Sequence, residues 1–352
     1  MNKDSKRLHI ELLRIMAIYL VMFNHTGANG FVYFLGTHGT FGYWVYLFVS
    51  IFSKVAVPIF FMISGALLLS KNEDVITVLK RRFLKYLVVL VVFSFVCYFY
   101  SVGFRFFEIS LSDFFKHIYA WSITPGYWYL YAYLAYLLTL PFLRKIAQNM
   151  SGKEFVYMII VFFIMQMITV FQYFAWGGEV RLNSNFTLFF ISSSVFFPLF
   201  GYFIERKVPL KYYTRKNVVV AGVIGIVAII ACCMLTTYHC KITQWQEGSC
   251  QQFFTILIFI PAGAMYFGLK YYFDKHQVKI WFRKILTAVG SCTFGMYLFE
   301  HIYRNLTSLV HSKLVLYVHP FLATFVWLFA AFTLGFCVTF ILKRIPIIKK
   351  LL

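Results

Sequence analysis

The chain has 352 residues, of which 61% are hydrophobic, 22% aromatic and 13% charged, and its formal net charge is +21. A soluble domain carries roughly 45–50% apolar and about 25% charged residues, so this composition excludes an ordinary soluble enzyme. The basic excess does not indicate a nucleic-acid-binding domain, because apolar runs dominate where such a domain would show a hydrophilic basic face.

Apolar stretches of membrane-spanning length recur along the whole chain. A spanning helix needs about 20 largely apolar residues. Ten stretches qualify: 10–26, 44–70, 83–103, 127–143, 155–174, 186–204, 218–237, 252–269, 285–303 and 320–342. Without a repeat or a long soluble loop, we expect a single domain over residues 1–352. The predicted fold class is an all-α integral membrane protein, a bundle of about ten transmembrane helices.

The distribution of Lys and Arg gives the orientation of these spans. Lys and Arg in short loops are retained on the cytoplasmic side of a membrane. With a cytoplasmic N-terminus, 26 of the 33 Lys and Arg residues fall inside, six fall outside, and Lys54 lies within a span. This asymmetry predicts that both termini are cytoplasmic.

The first span resembles a secretory signal at its start, where Lys3, Lys6 and Arg7 precede an apolar run. Arg14 lies within its first turns, and no clear small-residue cleavage site follows, so we expect a retained helix.

The first span also carries the richest set of polar side chains: Glu11, Arg14, Asn24 and His25. Ionisable groups inside a membrane are costly, and each is a candidate functional residue. Arg14 and His25 are 11 residues apart, which is three helical turns plus roughly 20°, so they share one face. Glu11 precedes Arg14 by three residues and is placed to pair with it.

Four other spans contribute candidate polar residues. Lys54 lies close to the middle of the second span, where it needs an acid or a ligand as partner. Arg81, Arg82 and Lys85 open the third span, either as a positive-inside anchor or as a phosphate clamp. Trp128 begins the fourth span, where an interfacial aromatic belt explains it about as well as a stacking surface for an acceptor. Glu300 and His301 lie deep in the ninth span, with Lys54 or Arg304 as a possible partner of Glu300.

No pair of histidines or cysteines has the spacing typical of metal ligands. The sequence also contains no G-x-S-x-G motif, which would indicate a serine nucleophile. Cys97, Cys232, Cys233, Cys292 and Cys337 fall within spans and are interpreted as small packing residues. Cys240 and Cys250 share an external loop, and the sequence leaves open whether they form a disulfide.

Several of these segments resemble the acyltransferase-3 family of integral membrane enzymes. The resemblance rests on a basic residue and a histidine in the first span, Arg14 and His25 within ELLRIMAIYLVMFNH. It is joined by VPIFFMISGALLL, by WYLYAYLAYLLTLPFL from Trp128, by FPLFGYFI near Gly201 and by GMYLFEHIY near His301. Two departures are visible: Lys85 stands where the family often has a second arginine, and Glu11 stands where it usually has Asp.

The resemblance implies a stand-alone membrane O-acyltransferase, most simply an O-acetyltransferase of a bacterial plasma membrane. Acetyl-CoA would be the acyl donor and substrate, with no permanently bound cofactor, and the acceptor would be a hydroxyl of a cell-surface or lipid-linked glycan. The implied catalytic residues are His25, Arg14, Glu11 and His301. The implied donor-binding residues are Arg81, Arg82, Lys85 and Lys54, and the acceptor-binding residues are Trp128 and Glu300.

Other functions remain open at this point. His25 is interpreted as a general base, although a histidine is also able to carry an acyl group. A transporter or exporter of an anionic solute or a lipid-linked saccharide would also place Arg14, Lys54 and His25 along a path, but no matched halves are evident. A module that only captures a ligand is a third reading. The acceptor, the acyl length and the oligomeric state are not encoded in any recognisable pattern.

Overall fold

A computed structural model describes residues 8–105 and 109–352, so Lys3, Lys6 and Arg7 lie outside the described residues. Throughout these two ranges the chain forms helices joined by turns, with no β-strand. The α-helices are α1 Leu8–Asn24, α2 Phe41–Ser53, α3 Ala56–Leu68, α4 Val75–Val78, α5 Leu84–Ser101, α6 Leu111–Ala120, α7 Trp128–Asn149, α8 Gly152–Trp176, α9 Ser193–Tyr202, α10 Arg215–Ile242, α11 Glu247–Cys250, α12 Phe259–Lys275, α13 Ile280–Leu298, α14 Glu300–Leu306, α15 Ser308–Leu314, α16 Pro320–Leu342 and α17 Pro346–Leu351.

Shorter helical segments lie between these helices. Two are π-helical, Leu79–Phe83 and Phe203–Lys207. The 3₁₀ segments are Gly27–Asn29, Tyr33–Thr37, Pro125–Tyr127, Phe189–Ile191 and Leu210–Tyr212. The all-helical class predicted from the sequence is therefore confirmed.

Five helical segments are long and apolar enough to cross a membrane, or six if the bent pair α13 and α14 counts as one. They are Phe41–Leu68, Val75–Ser101, Gly152–Trp176, Arg215–Ile242 and Pro320–Leu342, each at a predicted span. The predicted count of about ten is not confirmed among the described residues. At two of the remaining predicted spans, α1 and α12 have 17 residues each. The orientation of the termini stays a prediction.

Contacts divide the chain into two compact units, each built from two stretches. The first unit contains Met1–Lys71 and Phe142–Arg283, and the second contains Asn72–Pro141 and Lys284–Leu352.

The core of the first unit depends on a close crossing of α3 and α9. A Cβ atom built on Gly65 would overlap the backbone carbonyl of Pro198, and one built on Gly201 would overlap the backbone of Met62. Small residues let two backbones approach closely, and this packing is a main source of helix association in lipid. The motifs VPIFFMISGALLL and FPLFGYFI therefore meet through their glycines.

Polar side chains satisfy the end of α3. Arg144 is buried and its Nε donates to the carbonyl of Leu68 at 3.0 Å. Gln148 donates to the carbonyl of Leu69 at 2.9 Å. The last carbonyls of a helix have no partner within it, so Arg144 and Gln148 provide hydrogen-bond donors that lipid does not supply.

The second unit contains a broken helix where a continuous ninth span was expected. α13 ends at Leu298, and α14 starts at Glu300 after a bend of 86°. The Leu298 carbonyl accepts a hydrogen bond from the Tyr127 hydroxyl at 2.5 Å, and the Tyr297 hydroxyl donates to the carbonyl of Gly126 at 2.8 Å. These reciprocal bonds hold the break in place, and the predicted span over 285–303 is a bent pair of helices rather than one continuous helix.

The five cysteines that were predicted to lie within spans lie in the helices α5, α10, α13 and α16. Cys97, Cys232, Cys233 and Cys292 are buried, whereas Cys337 is exposed. Cys240 and Cys250 form a disulfide, which resolves the alternative that the sequence left open.

The α3–α9 crossing predicts a large effect of a single methyl group. Gly65→Ala forces the two backbones apart, and we expect a loss of roughly 1–3 kcal/mol or more of unfolding free energy. The matched control is Gly222→Ala in α10, where no atom lies within 4 Å of the added Cβ. Thermal unfolding midpoints of the purified proteins in one detergent measure both. Equal midpoints for the two variants would contradict the crossing.

Candidate active site

An ion pair lies in the first half of α1. Arg14 Nη1 donates to Glu11 Oε1 at 2.9 Å, and the two side chains are 29% and 15% exposed. The second carboxylate oxygen of Glu11 is buried and has no hydrogen-bond partner in the described ranges. The predicted pairing of Glu11 with Arg14 is confirmed, and it orients the guanidinium along the helix.

His25 follows directly after the end of α1. The His25 amide donates to the Met22 carbonyl at 3.2 Å, and the Thr26 amide donates to the Phe23 carbonyl at 3.1 Å, so the chain turns more tightly at this end. The His25 side chain is half-buried. At the helical rise per residue, Arg14 and His25 are separated by about 16 Å along the axis.

Two hydrogen bonds join the end of α1 to the junction between α2 and α3. Asn24 Nδ2 donates to the Ser53 carbonyl at 3.1 Å, and Ser53 Oγ donates to Asn24 Oδ1 at 2.8 Å. His25 directly follows Asn24 and Lys54 directly follows Ser53, so both lie next to this pair of hydrogen-bonded residues. The structure therefore brings together the neighbourhoods of two residues that the sequence predicted to be functional.

Lys54 lies against an aromatic ring. Its Nζ is 4.2 Å from the centroid of Phe31, a cation–π contact. Phe31 is fixed because its amide donates to Thr26 Oγ1 at 2.9 Å and its carbonyl accepts from Ser50 Oγ at 2.6 Å. Within 8–105 and 109–352 no carboxylate forms an ion pair with Lys54. We call Asn24, His25, Phe31, Ser53 and Lys54 the His25–Lys54 cluster.

A second polar cluster lies at the other end of α1 and was missed in the sequence. Glu205, in the π-helical segment Phe203–Lys207, is 3.1 Å from His9 Nε2 and accepts a hydrogen bond from the Tyr266 hydroxyl at 3.1 Å. Lys270 Nζ is 3.6 Å from the other carboxylate oxygen. We call His9, Glu205, Tyr266 and Lys270 the Glu205 cluster.

The charges of the Glu205 cluster control the ionisation of its carboxyl group. Burial alone raises the pKa of Glu205, but the hydrogen bond and charge of His9, the charge of Lys270 and the Tyr266 hydroxyl outweigh it. The pKa of Glu205 therefore lies below its ordinary value of 4.5. In the sequence, Glu205 is visible only as a single acid within the basic segment FIERK, and this pattern does not indicate which residues contact it.

In the second unit, the predicted phosphate-clamp residues lie on a π-helical turn and the start of α5. Arg81 is exposed, and Lys85 Nζ is 5.9 Å from the Tyr86 ring centroid. Arg82 is held by Glu73, with Nε donating to Oε2 at 2.7 Å and Nη2 donating to Oε1. The carboxylate of Glu73 was not recognised in the sequence.

The remaining predicted residues of the second unit lie near the broken helix. Glu300 is buried and accepts a hydrogen bond from Arg304 Nε at 2.8 Å, one of its two predicted partners. His301 Nε2 is 3.2 Å from Asn305 Nδ2, and its ring makes an edge contact with Tyr100. Trp128, the first residue of α7, is 48% exposed. Their predicted roles in catalysis and acceptor binding stay predictions.

The described residues thus define a helical membrane protein whose polar side chains gather in clusters at helix ends. Residues 7–344 match the family model Acyl_transf_3, described as an acyltransferase domain, and the chain belongs to the acyltransferase-3 family of membrane acyltransferases. Comparisons with curated proteins and with solved structures gave no significant match.

The Glu205 cluster predicts a pH-dependent contribution to stability. Its lowered pKa means that the contribution is complete above the unfolded-state pKa of 4.5 and is lost as the pH falls through the folded-state value. Glu205→Gln should cost about 1–3 kcal/mol near neutral pH, because it removes the charge-assisted hydrogen bond to His9 and the ion pair with Lys270, which keeps its contact with Asp274 at 3.3 Å.

The measurement is the thermal unfolding midpoint of the native chain and of Glu205→Gln between about pH 6 and pH 3. The difference between the two proteins should shrink toward the acid end. Glu179→Gln, which removes an exposed acid, is the control and should follow the native curve. Parallel curves for native chain and Glu205→Gln would refute a pH-linked role.

Proposed function

We propose that this acyltransferase moves an acetyl group from cytosolic acetyl-CoA to a hydroxyl group of a cell-surface or lipid-linked glycan, with His25 as general base. The observation that carries the proposal is the first unit's arrangement along α1. A paired guanidinium lies in its first half, and His25 follows its last residue, Asn24, which is hydrogen-bonded to the residue before Lys54.

The chemistry follows from the side chains of the His25–Lys54 cluster. The acceptor hydroxyl attacks the thioester carbonyl carbon while the His25 imidazole takes its proton. The negative charge that develops on the carbonyl oxygen is stabilised by the Lys54 ammonium group. The C–S bond then breaks, and the thiolate of CoA takes the proton from His25, which restores the neutral imidazole.

Each remaining residue has a role in this proposal. Arg14, oriented by Glu11, binds a phosphate group of the donor, and arginine suits this task because its planar fork matches phosphate geometry. Arg81, Arg82 and Lys85 are proposed as further phosphate ligands. His301, Glu300 and Trp128 are proposed to position the acceptor sugar, through hydrogen bonds and stacking.

The membrane setting is part of the same proposal. Both termini and the basic loops are placed in the cytoplasm on the charge distribution, in a bacterial plasma membrane. Acetyl-CoA is then present on the basic side, and the hydroxyl acceptor is reached on the opposite side.

The test of the general base is transfer of radiolabelled acetyl groups from acetyl-CoA to a cell-envelope glycan extract by protein in nanodiscs. His25→Ala should lower kcat by about 10²- to 10⁴-fold, because proton transfer by a positioned base contributes that much. Following the acetyl group measures transfer to the acceptor directly.

His117→Ala is the control for this experiment, because His117 is an exposed histidine on α6. It should transfer acetyl at the native rate. If native chain and His25→Ala give the same rate and neither binds acetyl-CoA, the donor assignment fails and transport of an anionic solute becomes the better hypothesis.

The role of Lys54 makes a separate prediction. Lys54→Met keeps the length of the side chain and removes its charge, so kcat should fall by about 10²- to 10³-fold with little change in KM for acetyl-CoA. Steady-state kinetics in the same assay separate the two constants. A raised KM with native kcat would instead make Lys54 a residue that only binds the donor.

A further inference from the structure

We infer that Glu73 is an internal counter-ion of Arg82, which a phosphate group of the acyl donor displaces when it binds. Glu73 would thereby lower the affinity of the resting protein for phosphate-bearing ligands. This inference rests on the proposed use of Arg82 as a phosphate ligand.

The geometry of the pair resembles the way arginine binds phosphate. Two parallel N–H groups of Arg82, on Nε and Nη2, donate to the two oxygens of the Glu73 carboxylate. Arg–carboxylate and Arg–phosphate pairs share this bidentate form. A phosphate that binds the same fork must replace Glu73, because two anions would otherwise compete for one set of donors.

The two partners differ in how the fold holds them. Arg82 lies within the helical segment that continues into α5, whereas Glu73 lies in the non-helical stretch 71–74 before α4. The side chains are 21% and 22% exposed, so the pair is reachable from solvent. The carboxylate is therefore the partner that is able to withdraw without moving a helix.

The neighbouring acid has a different task. Asp74 caps α4, and its Oδ2 accepts a hydrogen bond from the Thr77 amide at 3.2 Å. Glu73 instead accepts hydrogen bonds from Arg82. Glu73 and Asp74 thus carry the same charge at adjacent positions, but Arg82 is paired with Glu73 alone in the described part of this loop.

The local charge supports an anion at this site once Glu73 has withdrawn. Lys80, Arg81 and Lys85 lie within three residues of Arg82, on the same helical segment. A phosphate group carries more negative charge than a carboxylate and would be attracted by several cations of this segment.

The experiment measures binding of acetyl-CoA, S-acetyl-pantetheine and inorganic diphosphate to the full-length protein in nanodiscs by calorimetry. Glu73→Gln removes the competing charge and keeps the shape of the side chain. It should bind acetyl-CoA and diphosphate about three- to tenfold more tightly than the native chain. S-acetyl-pantetheine, which has no phosphate, should bind with unchanged affinity.

Two further variants separate competition from a general change in charge. Asp74→Asn removes the same charge one residue away and retains a residue that caps helices well, so its affinities should stay native. The double variant Glu73→Gln/Arg82→Met should lose the gain, because the gain acts through Arg82. Unfolding midpoints verify that all variants are folded.

The outcomes distinguish this inference from the proposed function. If the native protein transfers acetyl groups but Glu73→Gln binds acetyl-CoA no more tightly than Asp74→Asn, the counter-ion role is refuted and the transferase stands. If no acetyl transfer occurs, the proposed function fails. Tighter binding of diphosphate by Glu73→Gln than by the native chain would then still support Glu73 as a counter-ion of Arg82. Weaker diphosphate binding by Glu73→Gln would overturn the inference in either case.

Discussion

Carboxylates are scarce in this chain, and the structure depends on where the few are placed. There are 12 acidic residues against 33 Lys and Arg, and a cation that leaves water needs a partner. Four of the carboxylates hold cations at positions that matter for the site. Glu11 holds Arg14, Glu205 holds His9 and Lys270, Glu73 holds Arg82, and Glu300 holds Arg304. Loss of one acid therefore leaves a cation without its neutralising partner, which costs more than the pair itself contributes.

The segments that carry the proposed catalytic groups are joined by hydrogen bonds between uncharged side chains. The mutual hydrogen bonds of Asn24 and Ser53 connect the residues that directly precede His25 and Lys54. This arrangement suits a general base and an electrostatic stabiliser, because an ion pair with a carboxylate would bind the ammonium group that the developing oxyanion requires. The Phe31 ring lies next to the Lys54 ammonium group instead of a carboxylate, and its cation–π attraction is weaker than the attraction of a carboxylate.

Local features of the fold were predictable from the sequence, and those that depend on distant contacts were not. The Glu11–Arg14 pair follows from helical spacing, and the span predicted at 320–342 coincides with α16. His9 and Glu205 are 196 residues apart, and no periodicity relates them. The break after Leu298 depends on a hydroxyl group 171 residues away. Arg82 and Glu205 lie on π-helical turns at the ends of predicted spans. Hydropathy does not distinguish a π-helical turn from an α-helical one, so these turns were not predicted.

Polar contacts fix the position of α1 at both of its ends. His9 near its start contacts Glu205, and Asn24 at its end is bound to Ser53. Along this helix the rise per residue sets about 16 Å between Arg14 and His25, the residue that follows Asn24. The phosphate groups and the thioester of the proposed donor lie at opposite ends of the molecule. A fixed distance between Arg14 and His25 would hold both ends in place, which lowers the entropic cost of aligning the thioester for reaction. The Glu205 cluster, remote from His25 along α1, is therefore connected to the proposed chemistry through the position of a single rigid helix.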